Sequence, residues 1–60
     1  MSIAKASRML AFYAPELTSV RKLGQSQSTN DGKTIYHFEY QNSADVKLEY
    51  DPESKQFELI

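Results

Sequence analysis

His37 is the only histidine in the chain, and the only side chain whose ordinary pKa lies near neutrality. With Glu39 two residues on and Glu49 across from it, it could serve as a general base oriented by a carboxylate. That chemistry also needs a nucleophile or a shaped cavity. The alternation around His37 puts it on an open sheet face, so a surface histidine in a polar cross-strand pair is the simpler assignment. The acids Glu49, Asp51, Glu53 and Glu58 gather around one turn, without the Asp-rich spacing and glycine of a calcium loop. There is no Cys, which excludes disulfides, thiolate catalysis and thiolate zinc sites. Any metal site would have to be completed by carboxylates around His37. Gly24 and Gly32 are isolated and neither leads into a helix, so no glycine-rich phosphate cradle is present. The expectation is a chain without catalytic residues, metal ligands or cofactor: not an enzyme, and without a small-molecule substrate.

Binding chemistry is better represented. Lys5, Arg8, Arg21 and Lys22 could form a basic patch for nucleic acid, which would also need exposed aromatics to stack bases. Seven Lys and Arg against eight Asp and Glu give a net charge of -1, so no strong field favours a polyanion. Four Tyr in so short a chain suit either a thin core with wet edges or a contact surface. Tyr13 and Tyr40, near element ends, are the candidates for partner contacts. The chain ends on residues 56–60, where Phe57, Leu59 and Ile60 are guarded by one charge, Glu58. So lightly protected an edge strand can add to another sheet, of a protein partner or of a second copy. Tyr13, Tyr40, Phe57, Leu59 and Ile60 are the expected protein-binding residues, and the basic quartet is the alternative.

These residues must be positioned by very little protein. Sixty residues and 6.9 kDa hold one small domain, residues 1–60. Without staples its stability is about 3–5 kcal/mol, and its core has little volume to hollow into a pocket of roughly 300 Å³ or more. The first eight residues carry Lys5 and Arg8 and lack the apolar run of a signal peptide. The longest apolar stretch, residues 9–14, is far short of the roughly 20 residues that cross a bilayer. A cytoplasmic, non-membrane protein is expected.

Ser2 is a suitable N-cap, and Ile3, Ala6, Met9, Leu10 and Tyr13 follow at helical spacing. Pro15 disfavours helix at Ala14 and should end it near Tyr13. Residues 18–23 are ambiguous, because Val20 and Leu23 are out of phase for an alternating strand. A strand there would need a bulge or an edge position. Residues 25–30 are wholly polar and read as a mobile hairpin end, with Asn30-Asp31-Gly32 supplying left-handed turn geometry. Three period-two segments follow, at 34–41, 45–50 and 56–60, and predict an antiparallel meander. The first register expected pairs Phe38 with Leu48, Tyr36 with Tyr50, Glu39 with Lys47 and His37 with Glu49. The second pairs Tyr50 with Phe57 and Leu48 with Leu59. It also opposes Glu49 to Glu58, which a bulge near 51–55 would relieve. One sheet face is then apolar, and the helix is the only cover for it. The fold class is α+β, with one N-terminal helix on a three- to four-stranded antiparallel meander.

A helix, a first strand with Val20-Arg21-Lys22, and then Gly32-Lys33-Thr34-Ile35-Tyr36-His37-Phe38-Glu39-Tyr40 resembles the opening of a PepSY-type repeat. Its sequel is similar to Val46-Lys47-Leu48-Glu49-Tyr50-Asp51-Pro52-Glu53-Ser54-Lys55-Gln56-Phe57. The resemblance covers nearly the whole chain, with Glu53-Ser54 standing where the family commonly has Thr-Gly after the turn Asp. Members are mostly exported, whereas this chain shows no export signal. The resemblance implies a non-catalytic module that binds or restrains a peptidase or another protein. A cystatin-like helix-on-sheet arrangement is a likeness of the same grade, and both concern fold rather than function.

Overall fold

A computed structural model describes residues 2–60; Met1 lies outside it. Helix α1 runs Ile3–Tyr13. The Ser2 Oγ accepts from the Lys5 N–H at 3.3 Å, satisfying one of the helix's free donors as an N-cap does. The helix stops before Pro15, as expected, and the Ala14 N–H closes it on the Leu10 carbonyl at 2.8 Å. A short 3₁₀ helix, Pro15–Ser19, follows. The Thr18 and Ser19 hydroxyls donate back to the Pro15 and Glu16 carbonyls, at 2.8 and 3.1 Å. This turn brings Leu17 into the core, so part of the ambiguous segment is helical rather than extended.

Four strands complete the chain: β1 Lys22–Asn30, β2 Lys33–Tyr40, β3 Val46–Asp51 and β4 Gln56–Leu59. They form one antiparallel sheet in the order β1-β2-β3-β4, the α+β meander that the alternation predicts. Ala6, Leu10, Ala14 and Leu17 bury Tyr36, Phe38 and Leu48, and Ile3, Met9, Tyr40, Val46, Tyr50 and Phe57 pack around them. The core therefore sits between α1 and the middle of the sheet. No helix among the described residues is long and apolar enough to cross a membrane.

Three expectations change. Residues 25–30 are strand, not a mobile hairpin end: β1 pairs with β2 along its length, with a bulge between Lys22 and Gly24. Its two-residue loop has Asp31 at φ 53° and Gly32 at φ 77°, the left-handed pair of a type I′ turn. The β2–β3 register lies two residues from the expected one. Tyr36 faces Leu48, Phe38 faces Val46, Thr34 faces Tyr50 and His37 faces Lys47. A two-residue slip keeps every side chain on its own face, so the apolar pattern cannot choose between the two registers. The loop chooses, and Asn42 at φ 60° gives it the shorter connection. The β3–β4 register is as expected, with Tyr50 on Phe57 and Leu48 on Leu59. The expected bulge is absent, and Glu49 stays opposed to Glu58. Lys33 Nζ, 3.8 Å from Glu49 Oε1, offsets that repulsion from the other side.

Candidate interaction surface

The hydrogen-bond alternation of an antiparallel ladder determines which backbone groups the sheet leaves outside. In β1 the two-residue loop makes Asn30 and Lys33 a hydrogen-bonded pair. Ser28 with Ile35 and Ser26 with His37 follow as bonded pairs. Gln25, Gln27 and Thr29 then direct their N–H and C=O groups away from β2, along the open edge. Their side chains share the face of Phe38, Tyr36 and Thr34, yet Gln25 and Gln27 are exposed because α1 does not extend over β1. From Leu23 to Asn30 there is no charged residue and no Pro. The guards of β1, Lys22 and the bulge, stand at its first end, and the rest of this edge is the long uncharged kind that natural sheets usually avoid.

At the other edge, the Ile60 N–H bonds the Lys47 carbonyl at 3.0 Å, which sets the phase of β4. Phe57 and Leu59 therefore face outward with their backbone groups. Phe57 is half-buried, its ring 4.8 Å from that of Tyr50. Leu59 and Ile60 are exposed, at 42% and 58%.

Of the expected protein-binding residues, Tyr13, Leu59 and Ile60 are exposed, whereas Tyr40, like Phe57, is half-buried. It packs against the core, and burial raises its phenol pKa. It also lines a groove of about 240 Å³ between α1, the 3₁₀ helix and the first residue of β1. Leu10, Ala11, Ala14, Leu17 and Val20 give that groove an apolar wall, and Lys22 also lines it. Two exposed apolar residues escaped the sequence reading. Phe12, 82% exposed, follows Arg8 by four and Lys5 by seven residues, so the helical period already put it on their solvent side. Leu23, 60% exposed, sits at the bulge.

The basic quartet is exposed, Lys5 and Arg8 on α1, Arg21 just before β1 and Lys22 as its first residue. Lys22 Nζ is engaged with Gln25 Oε1 at 2.7 Å and lies 5.9 Å from the Phe38 ring centroid. Tyr36 and Phe38 are fully buried, so the sheet offers them to no base. Phe12 and Tyr13 are the aromatics left open near that patch.

His37 lies on the outer sheet face between Ser26 and Lys47, rather than opposite Glu49. Its Nε2 is 3.2 Å from Asp45 Oδ2. Glu39 continues the same face, and one donor atom from each of His37, Glu39 and Asp45 falls within 4.8 Å of the others. One imidazole and two carboxylates are donors that a divalent cation accepts. Glu39 and Asp45 are exposed and His37 is half-buried, with its Nε2 turned to Asp45. Gly24 lies opposite Glu39, and a Cβ there would stand 3.1 Å from the Glu39 carboxylate.

Compared with protein-family models, curated proteins and solved structures, the chain matches none. The likeness to PepSY-type repeats gains and loses nothing from that, and the surface chemistry carries the functional argument.

Proposed function

We propose that the chain is a non-catalytic binding module that takes up an extended protein segment as an additional strand along β1. The outward N–H and C=O groups of Gln25, Gln27 and Thr29, on a strand that is uncharged from Leu23 to Asn30, carry this reading. In strand addition, main-chain hydrogen bonds supply affinity and pockets for alternate side chains supply specificity. The groove beside Lys22 and Tyr40 suits that second role, since it opens at the start of β1 and has an apolar wall. Its volume is below what a small-molecule site usually occupies, about 300 Å³ or more, but it accepts one apolar side chain. The expected edge, β4, is the weaker of the two, because it is short and carries Glu58.

Selection from a random peptide library tests the proposal, with Gln27→Pro as counter-screen. The Gln27 N–H points outward, so proline there removes an edge donor and leaves the bonds to β2 in place. Selected peptides should slow amide exchange at Gln25, Gln27 and Thr29 and lose at least about tenfold in affinity for the proline variant. Peptides that bind the variant equally well, or that protect only β4, would overturn it.

A further inference from the structure

The register that β2 and β3 adopt builds a cluster that the expected register would have dispersed. With Phe38 across from Leu48, Glu39 would be paired with Lys47, and Asp45 would stand farther up the strand, across from Gln41. Phe38 instead faces Val46, so the ladder ends with Glu39 and Asp45 as neighbours on the outer face. Like charges set across a ladder repel. Among the described residues neither carboxylate is paired with a Lys or Arg, and Lys47, now across from His37, is exposed. The group turned to them is the His37 ring, with Nε2 at 3.2 Å from Asp45 Oδ2.

Gly24 is a second and independent sign. It lies across from Glu39 beside the bulge, yet Gly32 is the glycine with positive φ, so the backbone at Gly24 does not require glycine. What the missing side chain provides is room, since a Cβ would stand 3.1 Å from Glu39 Oε2. The Glu39 carboxylate thereby lies back against β1. A glycine inside a strand often marks such a close approach.

We propose that His37, Glu39 and Asp45 form a binding site for a divalent transition cation of the Zn²⁺ type on the outer face of the sheet. This goes against the expectation, from sequence, of a chain without metal ligands. One donor atom from each residue lies within 4.8 Å of the others. Two ligands bonded to a tetrahedral Zn²⁺ stand about 3.3 Å apart, and His37 Nε2 and Asp45 Oδ2 already stand at 3.2 Å. The ion takes the place of the proton between them: Nε2 gives its lone pair and the ring proton sits on Nδ1. Glu39 joins by rotating an exposed side chain, closing by no more than about 1.5 Å. A double positive charge balances the two opposed carboxylates, and the fourth position is left to water. Mg²⁺ and Ca²⁺ prefer all-oxygen shells and suit this donor set less well. The ion would clamp β2 to the residue before β3, whether or not β1 accepts a strand.

Titration of the untagged chain with zinc chloride to about 1 mM, followed in amide and imidazole nitrogen spectra, tests the site. Binding should saturate at one equivalent, with the largest shift at His37 Nε2 and amide shifts gathered at residues 37–39 and at Asp45. The wild-type melting temperature should rise with zinc. His37→Gln, Glu39→Gln and Asp45→Asn should each weaken binding at least about tenfold. Glu58→Gln, which removes an acid elsewhere on the same face, should change it by less than about twofold. Amide spectra without metal establish that each variant keeps the fold. An absence of saturable binding by about 1 mM overturns the site. Binding that falls as much in Glu58→Gln, or that about tenfold more Mg²⁺ displaces, is diffuse attraction to surface acids and overturns it too. Binding that survives His37→Gln unchanged removes the imidazole, and with it the proposal.

Discussion

The two edges of the sheet are held in place by different forces. β4 is four residues long and is fixed by its side chains: Phe57 rests on Tyr50, and Leu59 stands across from the fully buried Leu48. β1 is nine residues long, and between Leu23 and Asn30 only Gly24 is even partly covered. It is kept in the sheet by its hydrogen bonds and by a turn with both loop residues at positive φ. A backbone ladder without burial is marginal in water, so β1 should be the more easily opened edge although it is the longer. An added strand would supply β1 with the second row of hydrogen bonds that its own sheet cannot.

The strongest way to break this contrast is to remove what both edges share. Leu48 is fully buried under α1 and lies between Tyr36 and Leu59. Leu48→Ala should cost about 2–5 kcal/mol, comparable with the whole stability of about 3–5 kcal/mol. Urea titration by circular dichroism should find the variant largely unfolded. A β1–β2 hairpin that outlived the rest would show that β1 does not depend on the core.

The next changes separate the edges. Phe57→Ala removes the ring that packs tilted against Tyr50 and anchors β4, and should cost about 1–2 kcal/mol, with amide exchange rising at Glu58 and Ile60. On β1 the matching truncations, Gln25→Ala and Gln27→Ala, should each change stability by less than about 0.5 kcal/mol. The sensitive point there is the turn: Gly32→Ala at φ 77° should cost about 1–2 kcal/mol and speed exchange at Ser26 and Ser28. A glutamine truncation as costly as Phe57→Ala would mean that side chains hold β1 after all.

The same distinction accounts for what could be read from the sequence. β2, β3 and β4 bury one face, so their residues alternate, and Tyr36, Phe38, Leu48, Tyr50 and Phe57 were placed on the correct side. Most of β1 is exposed on both faces, so no alternation marks it as a strand; only the Asp31-Gly32 turn hinted at a partner for β2. The β2–β3 register was misplaced by two because face parity is blind to an even slip. The place of Tyr40 near an element end gives no sign that it is half-buried beside a groove shared with α1 and the 3₁₀ helix. Of the candidate site, β4 was legible as an exposed end with apolar residues. β1 was not, because its features are backbone groups that carry no residue-type signature.

The smallest expected effect concerns the turn that delivers β4. Asp51 Oδ1 accepts the Glu53 N–H at 2.9 Å, an Asx turn with Pro52 between them. That bond, reinforced by Ser54 and by the charge of Lys33, holds the Asp51 carboxyl below its ordinary pKa. A carboxyl depressed in the folded state binds its proton more readily in the unfolded chain. Its stabilisation is therefore present above the ordinary value of about 3.9 and is lost as pH falls through the folded pKa. Asp51→Asn keeps an acceptor for the turn and removes the titration. The variant should thus lose less stability than the wild type between pH 5 and pH 2 (about 3.9 being the ordinary midpoint), read as the difference between two sets of thermal melts. The β1 turn relies instead on the backbone freedom of Gly32, so Gly32→Ala should shift the melts by a similar amount at every pH in that range. Equal acid slopes for Asp51→Asn and wild type would show that the carboxylate does not clamp the β3–β4 hairpin, and that its side-chain packing alone distinguishes this edge from β1.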